Sequence, residues 1–288
     1  PDHPLTGLDV SDSPNAATKD ETLKTAELKT VIQKEQLGNP DARVSIESIY
    51  SENYLSDFAI SAVGIQTGDN DRFVLKFYEL NKLGNDWEPF QRTSDTSTYY
   101  KGMEQIIRWQ KGNGLLQMEN GFRDNGSNRI SKLLENVQGI FVHRMGNLPI
   151  TLTHASLFDQ NGAVIIANSI HTLPAIYCYL NSNAYSKDVR KIDNKVGVTP
   201  ATLVKVPFDL GYWQKVAYEK YPNGLPKPYS DDPTQWLFHG HPIKTDVPLQ
   251  VALARLLGYR WPAENDNEME LADEARELII TIKALDHL

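Results

Sequence analysis

The 288-residue chain has a single cysteine, Cys178, so an intrachain disulfide is excluded. Cys178 sits in the apolar run Ile176-Tyr177-Cys178-Tyr179-Leu180. That setting predicts a small buried thiol and fits a reducing, cytoplasmic compartment. No apolar run approaches the roughly 18 residues a membrane span needs, so no membrane partner is expected. The first residues, Pro1-Asp2-His3-Pro4-Leu5, have neither a basic n-region nor an apolar h-region, and no initiator methionine. The expectation is an excised piece of a longer chain. Cations are in deficit: 29 Lys and Arg face 37 Asp and Glu, a formal charge of −8. A uniformly basic nucleic-acid coat is thereby excluded, while a local basic cleft is not.

Short chemical motifs are equally scarce. There is no Gly-Lys-Ser/Thr phosphate loop and no Gly-x-Ser-x-Gly elbow. Gly112-Asn113-Gly114 lacks the six-position dinucleotide fingerprint. His239-Gly240-His241-Pro242 could share a metal if extended, since alternate strand side chains share a face. The competing reading is a rigid loop covering Trp236 and Phe238.

What is present suffices for a core, with 40% apolar and 23% charged residues. Apolar spacing predicts helices over 19–36, 54–62, 208–220, 249–258 and 270–285, and a helix opened by Pro174 that runs to about Leu180. Strands are expected at 43–49, at 72–78, as short pieces over 189–206, and as a pair flanking a hairpin turn at Asp159-Gln160-Asn161-Gly162. Residues 81–147 read as irregular, and 222–233 as a proline-rich loop. The sum is an α+β fold: a mixed, mostly antiparallel sheet with helical N- and C-terminal flanks. Three parts are expected: a helical lead-in at 1–62, a recognition domain at 63–206 and a helical subdomain at 207–288.

Charge is uneven. Lys187, Arg190, Lys191, Lys195, Lys205, Lys215 and Lys220 outnumber Asp188, Asp193, Asp209 and Glu219, whereas 264–288 holds eight acids against Arg276 and Lys283. An anion-binding middle within an acidic chain has this signature, and so has any solvated surface. Basic, aromatic and amide side chains also interleave through 81–147, where they could read bases or simply build core. Arg108, Lys111, Asn113, Arg123 and Arg144 have the donor geometry for guanine or adenine edges. Arg190, Lys191, Lys195 and Lys205 are the expected phosphate contacts.

Longer strings resemble a known family. Gly64-Ile65-Gln66-Thr67-Gly68-Asp69-Asn70-Asp71-Arg72-Phe73 is similar to the string that follows the catalytic domain in large adenine-N6 DNA methylases. The run from Leu173 to Asn181-Ser182 resembles a helix of their TaqI-like specificity domains. Val189 to Asp193, Thr202 to Asp209, Tyr221 to Pro226, Asp232 to Pro242 and Ala254 to Ala263 continue the likeness. The strings resemble the C-terminal half of type IIG-like restriction-modification or phage-defence enzymes. The family binds S-adenosylmethionine through a Phe-x-Gly-x-Gly loop and holds adenine with Asn-Pro-Pro-Tyr. This chain has no Pro-Pro dipeptide. The resemblance therefore implies a target-recognition part that transfers no methyl group alone. It implies double-stranded DNA and the catalytic domain of the same parent chain as partners, and S-adenosylmethionine as the parent's cofactor rather than this chain's. The alternatives are a protein-interaction scaffold subunit, in which the acidic C-terminal helix and proline-rich loop bind another subunit, and a hydrolase using His239 and His241.

Overall fold

Gly162–Ala167 is apolar at every position and buried at every position, the pattern of a central strand covered on both faces. In the computed structural model it is the hub of the chain. The structure describes all residues except 1, 11–12, 47–48, 81–82, 120–137, 156 and 286–288. Ten strands are described: β1 (Pro4–Gly7), β2 (Lys29–Ile32), β3 (Ala59–Val63), β4 (Val74–Lys76), β5 (Trp87–Gln91), β6 (Gln105–Arg108), β7 (Ile140–His143), β8 (Ile150–Leu152), β9 (Leu157–Phe158) and β10 (Gly162–Ala167). The helices are α1 (Ala16–Thr25), α2 (Asn70–Phe73), α3 (Leu115–Glu119), α4 (Leu173–Leu180), α5 (Asn183–Ile192), α6 (Leu210–Lys220), α7 (Pro248–Leu256), α8 (Pro262–Asn265) and α9 (Asp273–Leu285).

Three sheets result. One is the pair β1-β2, a second runs β3-β10-β7-β8, and a third runs β4-β6-β5-β9. Among the described strands every pairing is antiparallel except β5 with β9. The expected class, α+β with mostly antiparallel sheets, is the observed one. The β3-containing sheet buries Val142, Ile150, Ala163 and Ile165 against Ile176, Tyr185 and Val189 from α4 and α5 and against Phe208, which precedes α6. Neighbouring residues on β6 point to opposite faces of the third sheet, as the strand period requires. Ile107 packs with Phe73, Phe90 and Trp109, while Ile106 packs with Trp236, Phe238 and Trp261.

Several local expectations are corrected. Residues 54–62 form a 3-10 turn at Leu55–Asp57 and then β3, because pairing with β10 outweighs local helical spacing. Residues 19–36 divide into the rest of α1, which buries nothing, β2, and the start of a 3-10 segment at Gln33–Gly38. Residues 189–206 are the end of α5 and a 3-10 segment at Pro200–Val204, not strands. Residues 43–46 carry no strand. The turn at 159–162 is real, yet it is no hairpin: β9 pairs with β5 in one sheet and β10 with β3 and β7 in another. The segment 81–147 holds β5, β6 and β7 among its described residues. Strand β3 ends at Val63, and Ile106 shares a core with Trp236.

Gly64 shows why its string is constrained. Ile65 donates its N–H to the Phe158 carbonyl at 2.7 Å, and a Cβ on Gly64 would lie 2.2 Å from that same oxygen. Gly64→Ala is expected to lower the urea unfolding midpoint by the equivalent of about 2–3 kcal/mol, since only backbone stands in the way. A midpoint shift within ~0.5 kcal/mol would show that the two sheets separate there without penalty.

Candidate nucleic-acid interface

The basic middle of the chain folds around one polar cleft. One wall is the β7–β8 hairpin, whose turn needs left-handed backbone at Gly146 (φ 60) and Leu148 (φ 56). The other is the junction of α4 and α5. There Ser182 stops one helix and starts the next: its hydroxyl donates to the Tyr179 carbonyl at 2.6 Å and accepts the Tyr185 N–H at 3.4 Å. Tyr185, fully buried, anchors α5 by donating to the Leu203 carbonyl at 3.1 Å. The cleft holds about 560 Å³ and its lining includes Asp95, Ser97, His143, Asn147, Asn181, Asn183 and Lys187. His143 Nδ1 lies 3.9 Å from the fully exposed Asp95 carboxylate.

Beside this cleft the structure gathers three of the expected residues. Arg190 donates to the Gly146 carbonyl at 2.8 Å and to the Lys195 carbonyl, tying the end of α5 to the hairpin turn. Arg144 donates through Nε to the Val198 carbonyl at 2.7 Å and through Nη1 to the Gln160 carbonyl at 2.9 Å. Burial lowers its pKa, and these bonds commit two of its nitrogens to holding loops rather than facing solvent. Lys187 and Lys195 are exposed, with no carboxylate partner among the described residues. The two acids of the stretch are occupied: Asp188 accepts the Tyr179 hydroxyl at 2.9 Å, and buried Asp193 accepts the Lys195 N–H at 3.2 Å. Between 183 and 205, Lys187, Arg190, Lys191, Lys195 and Lys205 stand against those two acids.

The remaining expected contacts lie apart from the cleft lining. Arg108, at the end of β6, lies 3.6 Å from Asp86. Lys111 and Asn113 are exposed in the turn that follows, Lys111 with φ 54. Lys191 lies 4.0 Å from Asp188, and Lys205 is ion-paired with Asp41, whose carboxyl the lysine holds below its usual range. Arg123 lies outside the described residues.

Asn147, Asn181, Asn183 and His143 escaped sequence reasoning as site residues. Asn181-Ser182 was visible as a string, but its convergence with a turn some 35 residues earlier is a tertiary event. His239 and His241 are also settled in place. Each ring accepts a backbone N–H at Nδ1, from His241 and Ile243 respectively, both at 3.0 Å. His239 is fully buried, packs on Phe238 with ring centroids 4.5 Å apart, and has Nε2 3.4 Å from Asp231. These two rings brace a loop. Among the described residues no three His, Cys, Asp or Glu side chains are grouped to hold a metal, and no helix is long and apolar enough to cross a membrane. Cys178 is buried, and burial raises its pKa.

No protein-family model matches the chain, and neither does any curated protein. Among solved structures, the chain is similar to the Type IIL restriction-modification enzyme MmeI in complex with DNA, at 13% identity and a TM-score of 0.34. The similarity covers 91% of this chain and 37% of that chain, so this chain spans little more than a third of that enzyme's length.

Proposed function

We propose that this chain is the DNA target-recognition part of an adenine-specific DNA methyltransferase of a restriction-modification or phage-defence system. Binding of S-adenosylmethionine and methyl transfer belong, in this reading, to a catalytic domain elsewhere in the same parent chain. The observation that carries the proposal is the cleft between the β7–β8 turn and α5. It places three asparagines and a histidine next to exposed Lys187 and Lys195 in an otherwise acidic protein. Lysines beside such a cleft attract and position a phosphate backbone, while amide side chains present the paired donor and acceptor that adenine's major-groove edge requires. The methylase-like strings from Gly64 to Ala263 support the same reading.

Lys187 and Lys195 are the proposed free phosphate contacts. Arg108, Lys111 and Asn113 are kept as proposed contacts of a second patch, and Arg123 as a proposed contact outside the described residues. Arg144 and Arg190 support the surface by holding its loops. Lys191 and Lys205, already close to carboxylates, have less charge to offer DNA. Titration of duplex DNA against salt tests the distribution. Lys187→Ala with Lys195→Ala is expected to reduce the slope of log affinity on log salt by about two, roughly 0.9 for each phosphate no longer neutralised. Lys191→Ala with Lys205→Ala should reduce it by less than one. Equal slopes for the parent and the first pair would place the phosphate track elsewhere. In the complete enzyme, Asn147→Ala or Asn181→Ala should relax the methylated target at one base pair, a discrimination of about 1–3 kcal/mol.

A further inference from the structure

Two surface turns are fastened to each other beside the cleft. One is the β7–β8 turn, residues 144–148, and the other is the loop after α5, residues 194–198. A single guanidinium, that of Arg190, reaches both, donating to the Gly146 carbonyl at 2.8 Å and to the Lys195 carbonyl. A second tie joins them as well: Val198 donates its N–H to the Arg144 carbonyl at 2.9 Å, and Arg144 Nε donates to the Val198 carbonyl at 2.7 Å. Each turn is also anchored in the fold. Leu148 is buried, and buried Asp193 accepts the Lys195 and Thr199 N–H groups at 3.2 and 3.5 Å. Backbone held at so many points presents its outer side chains on a fixed support, so little ordering remains to be done on binding.

The outer side chains are of three kinds. Met145, on the first turn, is 37% exposed, and Val196, on the second, is 80% exposed. An apolar side chain standing singly on a surface needs no explanation, but these two stand on turns that share one guanidinium. With them are exposed Asn147, Asn194 and Lys195, and neither turn contains an acid. Met145, Gly146 and Asn147 line the same cleft as Lys187. The acids nearby have other neighbours: Asp95, in the cleft lining, lies 3.9 Å from His143 Nδ1, and Asp188 accepts the Tyr179 hydroxyl. An apolar pair set among amides and lysines is the composition with which proteins part a DNA base step. Cations hold the phosphates, amides meet base edges, and the apolar wedge replaces the lost stacking contact.

We propose that Met145 and Val196 form an apolar wedge that enters between adjacent base pairs of a duplex gripped by Lys187 and Lys195, unstacking one step and bending the DNA there. The wedge rests on the DNA-binding reading and adds to it the form of DNA that the site holds, a duplex opened at one step. Steps that unstack easily are then favoured without any contact to their base edges, pyrimidine–purine steps and mismatched pairs above all.

The experiment uses the full chain and a duplex of about 30 base pairs with one central mismatched pair beside 2-aminopurine, the fully paired duplex being its reference. The fluorescence of 2-aminopurine rises when the base is unstacked. Binding is expected to raise it about twofold, and the mismatched duplex to bind about fivefold more tightly, since unstacking costs less there. Met145→Ser with Val196→Ser changes only side chains outside the core, so circular dichroism should be unchanged while the fluorescence rise and the preference for the mismatch are lost. The dependence of affinity on salt should stay that of the parent, because no charge is removed. Met145→Leu with Val196→Ile keeps an apolar tip and should keep both signals. A parent that binds the two duplexes equally, with no fluorescence rise, overturns the wedge and leaves the DNA-binding reading standing, and so does a serine variant that behaves as the parent does. Failure of both duplexes to bind with salt-dependent affinity overturns the DNA-binding reading and the wedge together.

Discussion

Glu264→Gln is expected to destabilise the fold by about 3–5 kcal/mol, because it strands a buried cation. Arg255 Nη1 lies 2.7 Å from Glu264 Oε2, with the glutamate side chain fully buried and the arginine side chain 6% exposed. The same Arg255 nitrogen faces the Gly240 carbonyl at 3.3 Å, and Glu264 Oε1 accepts the Trp261 N–H at 3.2 Å. The pair thus joins α7, the start of α8 and the His239–His241 loop at one point. Gly240, with φ 78, could not carry a side chain, since its Cβ would fall 1.9 Å from Glu264 Oε1. Urea unfolding of the single variant and of Arg255→Met with Glu264→Met measures the effect. The double variant should recover most of the loss, because replacing both charges by apolar groups removes the stranded ion. A double variant as unstable as the single would assign the glutamate's importance to the Trp261 N–H instead.

Acidification should weaken the fold well before its carboxylates titrate. His154, partly buried against Trp236 at a ring separation of 5.7 Å, has its pKa pushed down to about 4 by burial, against the opposing pull of Asp266. In the unfolded chain a histidine titrates near ~6.5, so between those values the unfolded state binds the extra proton. Stability is complete above about 6.5 and falls as pH drops toward 4, by about 3 kcal/mol for this group alone. His239, lowered chiefly by burial, acts in the same direction, since its Nδ1 is already an acceptor and its ring has no room for a second proton. Unfolding free energies at pH 7.5 and 4.5 should show the loss, and His154→Gln should flatten it. Stability independent of pH over that interval would mean that His154 is protonated in the fold.

The helices that announced themselves did so through features of a few adjacent residues. Pro174 in the first turn marks α4, and apolar spacing marks α6, where the structure adds a cap: Asp209 accepts the Tyr212 N–H at 2.9 Å. Segments that depend on distant partners were not legible. Strand β3 exists because Ala59 to Val63 pairs with Ala167 to Ala163, a relation that no local window contains. Tyr185, Val189 and Ile192, all buried on one side of α5, do have helical spacing, and their branched and aromatic character hid it. The candidate site was legible to a similar degree. A run of cations was plain in the sequence, but which of them are spent on ion pairs or backbone carbonyls is decided by folding. Arg144 and Lys205 look like free charge in a sequence and are clamps in the structure.

The register of β3 on β10 also sets a clock. Val63 is opposite Ala163, so 100 residues of chain separate the partners of one ladder. At roughly 5–20 residues per second of synthesis, β3 leaves the ribosome about 5–20 s before the strand that will cover it. During those seconds β3 has no partner, and β7 and β8 can pair with each other before β10 arrives. Assembly of this sheet therefore runs backwards along the chain: its latest strand recruits its earliest, and until then nascent molecules carry β3 as an unpaired strand.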